Sequence, residues 1–142
     1  MKINFKYDNK EEFVKCLDEV LNLYMTLRTN MKGFDDTTNM KGFNDTKYYE
    51  CIDSDDFFNT LHYYVEEIKS NTKTLFKCLD NFVSKYAKQY KSTEFGVVFT
   101  KFDNDIKEGT FYIFIDNSTN NSIRVTHEKM TINDLITMKN NL

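Results

Sequence analysis

His62 and Glu66 are the pair of residues in this chain whose types and spacing most resemble a metal site. They lie four residues apart in a segment predicted to be helical, so both side chains fall on one helix face. Zinc sites need three or four ligands, and the chain has only one other histidine, His127, with no second carboxylate–histidine pair. We therefore predict no metal site.

The three cysteines, Cys16, Cys51 and Cys78, are widely spaced and include no Cys-x-x-Cys pair. Cys16 and Cys78 fall on or beside apolar helical stripes, which predicts a structural role in the core. Cys51 lies beside Glu50 and Asp53, and neighbouring carboxylates make a thiol a poor nucleophile. The unpaired count favours a reducing, intracellular compartment, and the sequence shows no signal peptide or membrane span.

Sequence motifs for catalysis are also missing. The chain contains no Gly-x-Ser-x-Gly, no His-Glu-x-x-His and no phosphate-binding Gly-x-x-x-x-Gly-Lys motif. We predict no cofactor and, in the main interpretation, no enzymatic activity.

A tandem duplication is the most specific feature of the sequence. Residues 29–37 (TNMKGFDDT) are followed directly by residues 38–46 (TNMKGFNDT), and the two copies differ only at Asp35 and Asn44. Nine residues cannot form a repeat unit with its own core. The pattern predicts an exposed loop over residues 29–46, with Gly33 and Gly42 as turn points, because lengthening a loop costs little free energy.

Acidic residues are concentrated in and after this segment. Seven acidic residues and two lysines lie between residues 33 and 56, whereas the whole chain has a net charge of −3. One interpretation is structural, because Asp53, Asp55 and Asp56 precede a helix whose dipole favours negative charge. The functional interpretation is that the carboxylates orient a partner while Met and Phe side chains supply apolar anchors. The predicted partner-binding residues are Met31, Phe34, Asp35, Asp36, Met40, Phe43, Asp45, Asp53, Asp55 and Asp56.

Composition and periodicity predict one α+β domain over residues 1–142. Alternation at Ile3, Phe5 and Tyr7 predicts an N-terminal strand, and helical spacing follows over residues 10–28. A longer helical stripe over residues 55–90 is interrupted by Ser70-Asn71-Thr72, which predicts a kink or two helices. Residues 48–52 suggest an edge strand. Three strands over 94–102, 110–116 and 122–127 predict an antiparallel meander, and Thr131 with Asp134 predicts the start of a last helix.

This order of elements resembles the opening topology of the small acetyl-CoA-dependent N-acetyltransferases. That family binds the cofactor pyrophosphate on a glycine-rich turn after its fourth strand. The corresponding residues 127–131 (HEKMT) contain no glycine, so the resemblance covers topology alone and implies at most a degenerate acyltransferase.

The main prediction is a non-enzymatic protein-binding module, such as an inhibitor, immunity or anti-defence protein of a virus or mobile element. AT-rich codon usage, seen in the absence of proline and in seventeen lysines against two arginines, supports such an origin. The predicted partner is a protein with a basic surface, such as a nucleic-acid-handling protein, with no direct contact to nucleic acid or membrane. A small enzyme and a self-associating structural protein, including a homodimer, remain as alternatives.

Overall fold

The chain is mixed α+β and mostly helical. The computed structural model describes residues 3–38, 54–87, 94–98, 108–116 and 119–142, without the side chains of 54–57, 94–98, 114–116 and 125. These ranges contain three helices and three strands, which are α1 (Lys10–Thr38), α2 (Ser54–Tyr86), β1 (Glu94–Val98), β2 (Thr110–Asp116), β3 (Val125–Thr131) and α3 (Ile132–Asn140). The predicted α+β class is confirmed.

The chain forms two compact units. One comprises Met25–Thr74, and the other comprises Met1–Tyr24 together with Leu75–Leu142. Each of the two long helices contributes residues to both units. The single domain over residues 1–142 stays a prediction.

Helix α1 buries one narrow apolar stripe. Its members are separated alternately by four and three residues, the spacing that two helices use to pack along a shared seam. Each is buried: Phe13, Leu17, Val20, Tyr24, Leu27 and Met31.

The same alternation runs the whole length of α2, through Phe58, Leu61, Val65, Ile68, Thr72, Leu75, Leu79, Phe82 and Tyr86. Of the two predicted alternatives at residues 70–72, that of two separate helices is wrong, because α2 is one continuous helix. Thr72 occupies a position in the apolar stripe and is buried, and the Thr74 hydroxyl donates a hydrogen bond to the Ser70 carbonyl at 3.0 Å. The Thr74 hydroxyl is therefore satisfied within the helix, whereas the buried Thr72 hydroxyl has no hydrogen-bond partner in the described part of the chain.

The predicted loop over residues 29–46 is wrong for its first copy, because α1 continues to Thr38. The Thr37 hydroxyl bonds the Gly33 carbonyl at 2.8 Å, and the Thr38 hydroxyl bonds the Asp35 carbonyl at 3.1 Å. Packing of Met31 in the apolar stripe outweighs the turn preference of glycine. Residues 39–46 and the predicted strand at 48–52 lie outside the described residues.

Gly33 is a packing position and not a turn. A Cβ atom added there would lie 2.6 Å from Cε1 of the Tyr64 ring. Glycine costs an α-helix about 1 kcal/mol relative to alanine. The Tyr64 ring lies so close to the α1 backbone that a residue with a Cβ atom could occupy this position only if the ring moved.

The predicted N-terminal strand is not confirmed, since residues 3–7 belong to no strand in the described part of the chain. Instead, the Lys6 N–H donates to the Tyr86 carbonyl at the end of α2, at 2.9 Å. Ile3 is buried, and the Phe5 ring lies 5.1 Å from that of Phe82. The alternation in sequence reflects one-sided burial against a helix end.

Strands β2 and β3 pair in antiparallel register from Thr110↔Thr131 to Asp116↔Val125. Strand β1 is in antiparallel register with β2, from Glu94↔Asp116 to Val98↔Tyr112. The three-strand meander is not confirmed as a chain path, because residues 99–107 and 117–118 lie outside the described residues.

The start of α3 fixes the end of β3. Thr131 caps α3 and exchanges hydrogen bonds with Asp134, which confirms the predicted helix start. The Ile132 N–H donates to the carbonyl of Gly109 at 2.8 Å. Gly109 has a φ of +71°, a conformation that glycine adopts without strain, and it precedes the buried Phe111 of β2.

We predict that Gly33→Ala destabilises the wild-type chain but stabilises a Tyr64→Ala chain. In the wild type the new methyl group must displace the ring, whereas without the ring only the helical preference of about 1 kcal/mol remains. Urea unfolding of the four chains in the cycle measures both effects. The same sign in both backgrounds would contradict the close contact.

Candidate functional site

The structure places four predicted site residues on one helix instead of a loop. Met31, Phe34, Asp35 and Asp36 all belong to the last third of α1, within the unit Met25–Thr74. Met31 is only 4% exposed, so it is a core residue and not a surface anchor. Phe34 and Asp35 are half-buried, and Asp36 is exposed.

The other predicted site residues are only partly placed. Asp55 and Asp56 lie in the first turn of α2, without described side chains. Met40, Phe43, Asp45 and Asp53 lie outside the described residues. The described part of the predicted site therefore consists of residues of α1 and α2.

Carboxylates at the start of α2 and at the end of α1 have opposite effects on helix stability. Asp55 and Asp56 occupy the start of α2, where the helix dipole favours negative charge. Asp35 and Asp36 occupy the last turn of α1, where the dipole disfavours it, and that turn contains no basic residue. The unfavourable placement of Asp36 costs on the order of 0.3–1 kcal/mol, so helix stability does not explain this carboxylate.

The apolar stripe of α2 becomes more exposed to solvent within the unit Met25–Thr74. Ile68, Val65 and Leu61 are half-buried, and Phe58 is 57% exposed. These residues keep the three- and four-residue spacing of the buried stripe. We call Phe58, Leu61, Val65 and Ile68 the open stripe.

The histidines form no site. His62 and Glu66 are both exposed, and Glu66 pairs with Lys69 at 3.8 Å. His127 lies on β3 beside the Tyr112 ring, with 6.0 Å between the ring centres. Within the described ranges no group of three or more His, Cys, Asp or Glu residues is arranged to hold a metal ion.

A pocket of about 250 Å³ lies in the other unit, lined by residues of α1 and α2. Cys16 and Cys78 line it from the two helices, and both are half-buried rather than in the core as predicted. The Tyr86 hydroxyl donates a hydrogen bond to Cys16 Sγ at 3.7 Å. Burial, then the Glu19 carboxylate, then Cys16 raise the pKa of the Cys78 thiol to about 11. Cys78 is therefore a neutral thiol near pH 7 and not an activated nucleophile.

A second pocket, of about 300 Å³, lies at the start of α1. Glu12 and Lys85 line it and form an ion pair. Their hydrogen bond lowers the pKa of Glu12 and raises that of Lys85, so both groups stay charged near neutral pH. In this exposed ion pair the charge of each group is balanced by the other. Neither group is activated for catalysis.

Comparisons of the chain with protein-family profiles, curated protein sequences and solved structures give no match. The topological resemblance to acetyltransferases is also weakened by the fold. Residues 127–131 belong to β3 and not to a cofactor turn, and residues 3–7 form no strand. No described helix is long and apolar enough to cross a membrane.

The length of α1 differs from the prediction because of one glycine. The alternating spacing from Leu27 to Met31 to Phe34 continues the α1 stripe through Gly33. A single glycine is tolerated inside a helix, so this periodicity is the stronger signal.

We predict that alkylation of Cys78 by iodoacetamide rises to half its maximum rate near pH 11, because only the thiolate reacts and its pKa is raised to about 11. Peptide mapping by mass spectrometry separates Cys78 from the other two cysteines. In urea-unfolded chain the same thiol should titrate near an ordinary value of about 8.5. A plateau below pH 9 in the folded chain would contradict the assigned environment.

Proposed function

We infer that the chain is a non-enzymatic protein-binding module that blocks its partner, in the manner of inhibitor, immunity or anti-defence proteins of viruses and mobile elements. It acts in the cytoplasm, in an infected host cell for a viral protein, on a protein with a basic surface. A nucleic-acid-handling enzyme is a partner of that kind, since it exposes a basic surface for its substrate. In this proposal the three strands form a meander that serves as scaffold.

One observation carries the proposal. The exposed Asp36 lies in the last turn of α1, where a carboxylate weakens the helix, and that turn contains no basic residue. A basic partner surface would relieve this repulsion on binding. Carboxylates so placed would gain interaction energy in the complex that the isolated chain does not have.

Apolar contacts would come from neighbouring residues. Phe34 is half-buried in the last part of α1, and the open stripe of α2 ends at the exposed Phe58. Aromatic anchors usually contribute most of the binding energy, whereas charges around them set the association rate and the orientation. Met31 supports the helix from inside, so it is no longer a proposed contact.

To test the charges, the partner is captured from host lysate with tagged wild-type chain, identified, purified and studied by surface plasmon resonance. We expect Asp35→Asn/Asp36→Asn to slow association about tenfold at low salt and to reduce the salt dependence of the rate. Phe34→Ala should instead speed dissociation, because it removes an anchor.

The matched control is Glu11→Gln/Glu108→Gln, which removes the same charge from two exposed residues of the other unit. It should leave association nearly unchanged. Equal slowing by the control would show that net charge alone acts, and no slowing by the aspartate variant would reject the site.

Deletion of residues 38–46, which leaves one copy of the duplication, tests the repeat. We expect the free energy of unfolding to change by less than about 1 kcal/mol, because shortening a connection changes little closure entropy. Binding to the captured partner should weaken, since a second copy raises the effective concentration of the contact sequence. Loss of several kcal/mol of stability would show that residues 38–46 pack in the core.

A further inference from the structure

Two thiols from different helices share one pocket in the unit formed by Met1–Tyr24 and Leu75–Leu142. Cys16 of α1 and Cys78 of α2 both line the 250 Å³ pocket. Both are free cysteines, and both are half-buried. A pair of soft donor atoms is thus held on two packed helices, with access from solvent.

The surroundings of this thiol pair suit a bound ion. The Tyr86 hydroxyl donates a hydrogen bond to Cys16 Sγ at 3.7 Å, and such outer donors orient and tune metal-bound thiolates. Phe82 gives the pocket an apolar wall, and the Glu19 carboxylate and the Lys85 ammonium, which is paired with Glu12, also line it. Tyr86 itself is fixed by its contact with Phe13, with 4.8 Å between ring centres.

We propose that Cys16 and Cys78 form a two-thiolate site for a soft monovalent metal ion, with Cu(I) as the ion. On binding, both S–H bonds break, two Cu–S bonds form and two protons pass to solvent. Copper stays in the +1 state, so no oxidant or reductant is needed. The resulting bis-thiolate complex has a charge of −1, and the cation that lines the pocket, the Lys85 ammonium, is shared with Glu12.

The donor set favours Cu(I) over zinc. Thiolate ligands select soft ions such as Cu(I), whereas structural zinc takes four ligands. The described residues supply no third ligand of the His, Cys, Asp or Glu type in a metal-binding arrangement. This inference does not depend on the proposed protein-binding function, which uses other residues in the other unit.

The experiment is an anaerobic titration of reduced full-length chain with Cu(I), in competition with the chelator bicinchoninate. We expect one Cu(I) per chain and an ultraviolet thiolate-to-copper absorption band. Cys16→Ser and Cys78→Ser should each weaken binding by at least about 100-fold, because each removes one of two ligands. Tyr86→Phe keeps the ring and should weaken binding about tenfold.

Cys51→Ser is the matched control, since it removes the remaining thiol of the chain, and it should leave binding unchanged. Circular dichroism checks that each variant is folded. A measurement on the wild type needs no variant: bound Cu(I) should protect Cys16, but not Cys51, from maleimide labelling, whereas Cys78 is a neutral thiol that labels slowly even without copper. Full binding in either ligand variant, loss of binding in Cys51→Ser, or absence of this protection would overturn the site.

Discussion

The alternating three- and four-residue spacing of apolar side chains along α1 and α2 is the constraint on which the rest of the structure depends. The helices of 29 and 33 residues depend on this spacing, because in proteins most helical stability comes from tertiary packing of an apolar face. Each fully buried leucine or phenylalanine of the stripe contributes on the order of 1.5–3 kcal/mol. This packing is strong enough to include Gly33 and Thr72, residues whose local preferences favour turns and helix caps.

The apolar stripes are buried to different extents in the two compact units. In the unit of Met1–Tyr24 and Leu75–Leu142, the stripe is covered by aromatic contacts around Phe13, and α3 is joined to α1 by the ion pair between Lys139 and Asp18. In the unit Met25–Thr74, the α2 stripe is half-buried and ends in the exposed Phe58. Apolar surface left open in this way is typical of a binding surface.

The sequence was informative where a local signal and the packing agree. The Thr131–Asp134 capping box could be predicted because both partners lie within one helical turn. Strand β2 could be predicted because turn residues lie on both sides of it in the sequence. Prediction failed at Gly33, at residues 70–72 and at residues 3–7, because each local signal was overruled by a contact distant in sequence. The Tyr64 ring, the buried α2 stripe and the Tyr86 carbonyl are such contacts. The thiol pocket could not be foreseen, since Cys16 and Cys78 are 62 positions apart and meet only through helix packing.

The place of the first copy of the duplication within α1 has an evolutionary consequence. Nine residues are two and a half helical turns, so a helix continued through the second copy would turn Met40 and Phe43 about 180° away from the stripe that holds Met31. Only one of the two nearly identical copies can therefore place its methionine and phenylalanine on the α1 stripe by helical continuation. A constraint on Met40 and Phe43 among natural variants of this gene would come from contacts other than this stripe, such as those with a binding partner.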